Sequence, residues 1–232
     1  VFERPQIVLT CEHASNAVPA SVRQYFDATV AVMRSHRAWD IGTLDIAHYL
    51  ARRLRARLFK GKWSRLVIEL NRSPHHSSLF SEFMSSAPPA LKEQLLSQYY
   101  EPHRSAVEAT IRSVIRQEGK CVHLAIHSFT PILNGHRRQA DVGFLYDPGR
   151  KWERRVVDEL AFRLKALAPN LRIRRNYPYR GTSDGLTTHL RTRLPPSKYA
   201  GIELELNQAL LMGGHTRELK RQLFGMIAAV AG

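Results

Sequence analysis

Apolar positions along the chain fall into short runs of strand length separated by stretches with a helical repeat. QIVLTC (6–11) reads as a first buried strand, and from Ile41 to about Arg55 the positions Ile41, Leu44, Ala47, His48, Leu50, Ala51 and Leu54 recur at helical spacing. RARLFKG and RLVIEL (65–70) follow as a short and a longer strand, punctuated by Gly61 and Ser64. Residues 88–118 open on Pro-Pro and keep an amphipathic helical pattern, bent or interrupted at Pro102 and closed by Gly119. CVHLAI (121–126), VGFLYD (142–147) and LRIRRN (171–176) are further strands, with a helix at about 151–167. YAGIELEL (199–206) is the last strand, and it leads to a terminal helix that packs Leu219, Leu223, Met226 and Ile227 on the sheet. Alternating strands and helices with near-continuous apolar strands predict an α/β fold: a mostly parallel or mixed central sheet with helices on both faces. No repeat, low-complexity tract or long linker divides residues 1–232, so a single domain is expected.

Composition narrows the function classes. The 232 residues, 44% hydrophobic, suffice for one substantial core. No apolar run reaches the roughly 18 to 20 residues of a membrane span, and VFERPQIVLT lacks the basic and apolar regions of a secretory signal, so a cytoplasmic protein is expected. Cys11 and Cys121 have no metal spacing and read as small buried thiols. A formal charge of +15 would attract polyanions at low salt. Yet the arginines are scattered over helix faces and loop ends, without a recognition helix, aromatic RNA-binding signature or zinc-finger spacing. Nucleic-acid binding is therefore the alternative reading, and a pocket for an acidic small molecule, needing only a few cations, the preferred one.

The chemistry gathers at strand ends. IVLTCEH delivers His13, LAIHS delivers His127, and IELELNQ delivers Glu203 and Glu205, all toward the crevice beyond the carboxyl ends of the strands where α/β sheets bind ligands. Each histidine alone is an ordinary loop residue; together they suggest a metal site. A catalytic zinc usually has three protein ligands and an open position, and Asp40 in HRAWDIGT is the preferred third, with helix capping as its ordinary role. Glu12 would point away from His13 in an extended strand, an objection that a turn would remove. Glu203, Glu205 and Asn207 share one strand face, and two carboxylates there need a metal, a cation or donors unless that face is wet. Asn71 and Arg72 follow RLVIEL, and the planar fork of arginine suits a substrate carboxylate, although a surface arginine is the default.

TCEHASNAVP, HRAWDIGT, RLVIELNRSP, YYEPHR, AIHSFTP, DVGFLYDP, NYPYRGTSDGLTTH and GIELELNQ, in this order from about Ile7 to Gln208, resemble the N-formylglutamate amidohydrolase family, in particular its less characterised bacterial branch. The resemblance implies an α/β fold similar to zinc-dependent exopeptidases, and metal-dependent hydrolysis of N-formyl-L-glutamate to formate and glutamate late in histidine degradation. It makes His13, Asp40 and His127 ligands of one divalent metal, zinc being favoured. Asn71 and Arg72 become the substrate-carboxylate pair, and Glu205 the general base, with its strand neighbour Glu203 as the alternative. Two places depart from the best-known members: CEHAS replaces a Pro-His-Ser/Ala-Gly turn, and ELNQ replaces Glu-Leu-Ser-Gln. Arg137, Arg138 and Arg191 are the loop cations expected to stabilise an oxyanion or bind a second carboxylate, and His103, Asp184 and His189 receive no role. Other acyl groups or amines remain open within the same amide-hydrolase class.

Overall fold

In the computed structural model, which describes residues 5–26, 30–214 and 216–231, six strands form one mixed sheet. The strands are β1 (Gln6–Cys11), β2 (Arg57–Lys60), β3 (Cys121–Phe129), β6 (Val142–Leu145), β7 (Ile173–Arg175) and β8 (Tyr199–Asn207). Their order is β2-β1-β3-β8-β6-β7; β6 runs antiparallel to β8 and every other pairing is parallel. Two short strands, β4 (Ile132–Leu133) and β5 (His136–Arg137), make a separate exposed hairpin.

Alternation along the strands feeds two cores. Ile7, Leu9 and Cys11 of β1, with Ile202, Leu204 and Leu206 of β8, face helices α2 (Thr43–Leu54), α5 (Lys151–Leu167) and α8 (Thr216–Ala231). Leu219, Leu223, Met226 and Ile227 of α8 are buried there, as the spacing predicts. On the opposite face Val8 and Tyr199 pack with Val107, Ile111 and Ile115 of α4 (Glu101–Glu118) and Leu186 and Leu190 of α6 (Leu186–Arg193). Burial on both faces explains why the strands read as continuous apolar runs. Shorter helices complete the set: α1 (Val30–Met33), α3 (Pro89–Leu95) and α7 (Gln208–Met212). Between α3 and α4 the helix widens into a π-helical segment, Leu96–Tyr100. That segment ends just before Pro102, which has no N–H to donate, so the interruption expected at this proline is present. No helix among the described residues is long and apolar enough to cross a membrane.

RLVIEL is the clear departure from expectation. Residues 65–70 form no strand; Val67 N–H instead closes a turn on Ser64 C=O at 2.9 Å, and Glu69 N–H bonds the more distant Leu79 C=O at 2.9 Å. Leu66, Val67, Ile68 and Leu70 are all buried, but in a third cluster with Val22, Phe26, Met84, Leu95 and Tyr100 that lies outside the sheet. A run of branched apolar residues reports burial and does not by itself specify a pairing partner. The end of β3 also differs from the prediction, since the strand continues past His127 to Phe129 and holds this residue within the sheet, while β8 contains Glu205 as expected and runs to Asn207.

Candidate active site

β1 stops at Cys11, and Glu12 and His13 turn out of it. Gly61 makes this turn possible: its N–H bonds the Cys11 carbonyl at 2.9 Å, and a Cβ on it would lie 1.8 Å from the Glu12 carbonyl oxygen. The turn carries His13 towards Asp40, whose backbone N–H donates to the His13 carbonyl at 2.9 Å. Asp40 does not cap α2, because Gly42 stands at that position with φ 84°. Its side chain is instead committed to the histidines. Asp40 Oδ2 lies 3.2 Å from His13 Nδ1, 3.1 Å from His127 Nδ1 and 3.1 Å from the Ser128 N–H, and all three side chains are buried.

His13, Asp40 and His127 thus form a group able to hold a metal ion, with ligand atoms within 4.8 Å of one another. Ligands about 2.1 Å from a zinc ion in a tetrahedron stand roughly 3.4 Å apart, so the observed Nδ1 to Oδ2 separations are close to those of a loaded site. The donor set, two imidazoles and one carboxylate, suits zinc and leaves coordination positions open. Glu12, the rival carboxylate, is absent from the group: its Oε2 lies 3.3 Å from Nε2 of His127, on the far side of that ring from Asp40. With the metal absent, burial opposes charging the two imidazoles, but the surrounding carboxylates outweigh it and hold both pKa values above the ordinary range. Burial would also raise Asp40, yet His13 and His127 keep its carboxyl well below the usual carboxylate range.

Glu205 arrives by register. It is the partner of His127 across the β3–β8 pair, and side chains at matched positions of adjacent strands share a face. β8 is central in the sheet, so the carboxylate face is not the wet face of an edge strand. Glu205 is 4% exposed, and its Oε2 has no hydrogen-bond partner among the described residues. Burial first, then the nearby Asp40 and Glu203, push its pKa up to about 7 against the opposing pull of His127 and His13. Glu203, two residues earlier, accepts a hydrogen bond from the Thr187 hydroxyl at 3.0 Å. That bond ties Glu203 to α6, whereas Glu205 stays free.

These residues line one cavity of about 210 Å³ with Arg65, Asn71, Arg72, Ser128, Tyr179, Arg180, Ser183 and Asp184. Asn71 Oδ1 accepts from the Leu186 N–H at 2.7 Å, and Arg72 Nη1 donates to the Asp184 carbonyl at 2.5 Å. Tyr100 and the buried Arg104 brace the bend by donating to the Arg72 carbonyl at 2.6 and 3.2 Å. Asp184 closes it by accepting the Ser73 N–H at 2.8 Å. Asp184 and the YYEPHR segment therefore build the Arg72 loop, a task their sequence positions did not disclose.

The cavity cations are not the ones anticipated. Arg191 is buried against Glu153 and donates to the Gly181 and Gly201 carbonyls; Arg137 lies on the exposed β5; and Arg138 stacks over Phe129 and Tyr179 without lining the cavity. Arg65 and Arg180 take their place. Arg65 is spent on two carboxylates, bonding Glu69 at 2.6 Å and standing 3.6 Å from Asp40. The Arg180 side chain makes no hydrogen bond or ion pair among the described residues. Glu69 is a further residue that sequence reasoning passed over as part of a strand. It accepts from His13 Nε2 at 2.5 Å and from the Asn71 N–H at 3.0 Å, so one carboxylate orients both a candidate ligand and the candidate substrate pair.

Comparison with known proteins agrees with this architecture. A crystal structure of a gene product from Agrobacterium tumefaciens superposes with a TM-score of 0.79 at 26% identity, covering 98% of this chain and 92% of that one. The N-formylglutamate amidohydrolase of Ralstonia eutropha superposes with a TM-score of 0.74 at 19% identity, over 98% and 94% of the two chains, a likeness of fold. No curated protein matches the chain significantly. The family model described as N-formylglutamate amidohydrolase matches residues 5–212, nearly the whole sequence, and the chain belongs to that family of amidohydrolases.

Proposed function

We propose that this protein hydrolyses the amide bond of an N-acyl acidic amino acid, with N-formyl-L-glutamate as the leading substrate, using one zinc ion held by His13, Asp40 and His127. The observation that carries the proposal is the shared cavity: a two-histidine, one-carboxylate group, an unpartnered carboxylate beside it, and guanidinium groups facing both. A zinc ion in such a site acts as a Lewis acid on the acyl carbonyl and lowers the pKa of water to about 7. Glu205 accepts the proton of the attacking water, whose oxygen forms the new bond to the acyl carbon. Glu205 then returns that proton to the departing nitrogen as the carbon–nitrogen bond breaks, giving a carboxylic acid and a free amine. The acid's proton passes to the amine at neutral pH to leave a carboxylate and an ammonium. Without the metal, burial raises the Glu205 carboxyl to about 7, which marks it as a group able to exchange a proton near neutral pH.

Two carboxylates of an acidic amino acid need two cationic partners. Arg72, held rigidly by its loop, takes one, and Asn71 adds a polar contact. Arg180, whose side chain has no partner among the described residues, takes the other, the carboxylate of the substrate side chain. Arg65 is already engaged by Glu69 and Asp40 and is not free to take a substrate carboxylate. Metal analysis of the purified protein, followed by turnover of N-formylglutamate and N-acetylglutamate before and after chelation, tests the reading. Zinc near one per chain and chelator-sensitive release of formate support it; full activity after exhaustive removal of metal refutes the mechanism.

A further inference from the structure

Glu12 is the residue whose position the proposed chemistry leaves unexplained. It is 1% exposed, neither of its carboxylate oxygens has a hydrogen-bond partner among the described residues, and His127 Nε2 is likewise without one. Leaving three such atoms buried and unsatisfied is costly, and a carboxylate is the most costly of them. They are also each other's neighbours, with Glu12 Oε2 3.3 Å from His127 Nε2. A small rotation of either side chain turns that approach into a charge-assisted hydrogen bond and satisfies donor and acceptor together.

The other ring nitrogen of His127 is turned the opposite way, to Asp40 Oδ2. His13 repeats the pattern, with Nδ1 on the same Asp40 oxygen and Nε2 on Glu69. Each imidazole is therefore gripped from behind by its own carboxylate, and the two carboxylates come from different parts of the chain.

Building on the zinc reading above, we infer that Glu12 is a positioning residue for the metal: it accepts the Nε2–H of His127, fixes the tautomer that presents Nδ1 to the ion, and raises the basicity of that nitrogen. The CEHAS turn thus has a use for its glutamate that the adjacent histidine cannot supply. Glu12 touches neither substrate nor ion.

The test uses zinc ion alone, titrated into the metal-free protein in competition with a chromophoric chelator. Wild-type protein is measured first; absence of one-to-one zinc binding overturns this inference together with the proposed function. If wild type binds, Glu12→Gln is expected to weaken zinc affinity about 10- to 100-fold. An affinity within twofold of wild type overturns the role of Glu12 while leaving the zinc reading intact. A second measurement needs no variant. In zinc-loaded wild-type protein labelled with nitrogen-15 at histidine, the His127 ring is expected to carry its proton on Nε2 with Nδ1 bound to metal. That proton is expected to be strongly deshielded and slow to exchange, the mark of a hydrogen bond to a carboxylate that a merely space-filling glutamate does not give. A proton on Nδ1, with Nε2 on the metal, overturns the inference even where Glu12→Gln fails to fold.

Discussion

Replacing Glu205 by glutamine is expected to make the protein inactive and more stable at once. Glutamine keeps the shape and one acceptor oxygen of glutamate but cannot take a proton, and loss of a general base typically costs about 10²- to 10⁴-fold in kcat. The stability gain follows from burial. A carboxyl whose pKa rises from its ordinary 4.5 to about 7 on folding resists ionisation in the folded state. At about 1.36 kcal/mol per pH unit, its charge destabilises the metal-free fold by about 3 kcal/mol at most once fully ionised. The sign follows from the folded pKa lying above the unfolded one. The folded state holds the extra proton between pH 4.5 and about 7, so the destabilisation is absent below that window, grows through it and is complete above it. Metal-free Glu205→Gln should therefore match wild type in denaturant unfolding near pH 4.5 and exceed it by up to about 3 kcal/mol at pH 8, a rise of roughly 6 to 12 °C in Tm. Equal or lower stability at pH 8 would mean that the Glu205 charge is already compensated, and the argument that it stands poised as a base would fail.

Other expectations rest on separate contacts. Asp40→Asn should abolish tight zinc binding in chelator competition, because Asp40 is the carboxylate that both Nδ1 atoms share. Zinc added to the metal-free wild type should raise its Tm in proportion to the logarithm of free zinc, and no change would argue against a site selective for the folded state. Arg180→Ala should raise KM for N-acyl glutamate by about tenfold while leaving N-acyl glutamine nearly unaffected; an equal loss for both would assign Arg180 a general structural task. Gly61→Ala should lower both stability and zinc affinity, since its methyl group would collide with the Glu12 carbonyl that shapes the His13 turn.

Much of the site was legible because its residues sit where a strand pattern stops or changes face. His13 follows the last apolar residue of β1, and the two-residue spacing of Glu203 and Glu205 fixes their common face whatever the tertiary fold. Asp40 was harder, because an aspartate before a helix has an ordinary capping role, and only the tertiary approach of His127 decides between the two. Glu69 and Arg180 were out of reach for different reasons. Glu69 lies in a run whose apolar neighbours are buried by a cluster outside the sheet, so its pattern imitates a strand. Arg180 is one arginine among many, and what marks it is a side chain without a partner among the described residues, a property that sequence spacing does not encode. Arg191 shows the converse: a loop arginine in the sequence, it is consumed by a buried pair with Glu153.

The pairing of His127 with Glu205 across the two innermost strands has a consequence for how this enzyme can change. Backbone bonds of the sheet set the spacing between the group that would anchor the ion and the group that would shuttle the proton. Arg180, by contrast, rides on a surface bend between β7 and α6. On the proposed roles, substitutions in that bend would retune which amine product is preferred without disturbing the bond-breaking apparatus, leaving a lineage room to explore new acylated metabolites on an unchanged catalytic frame.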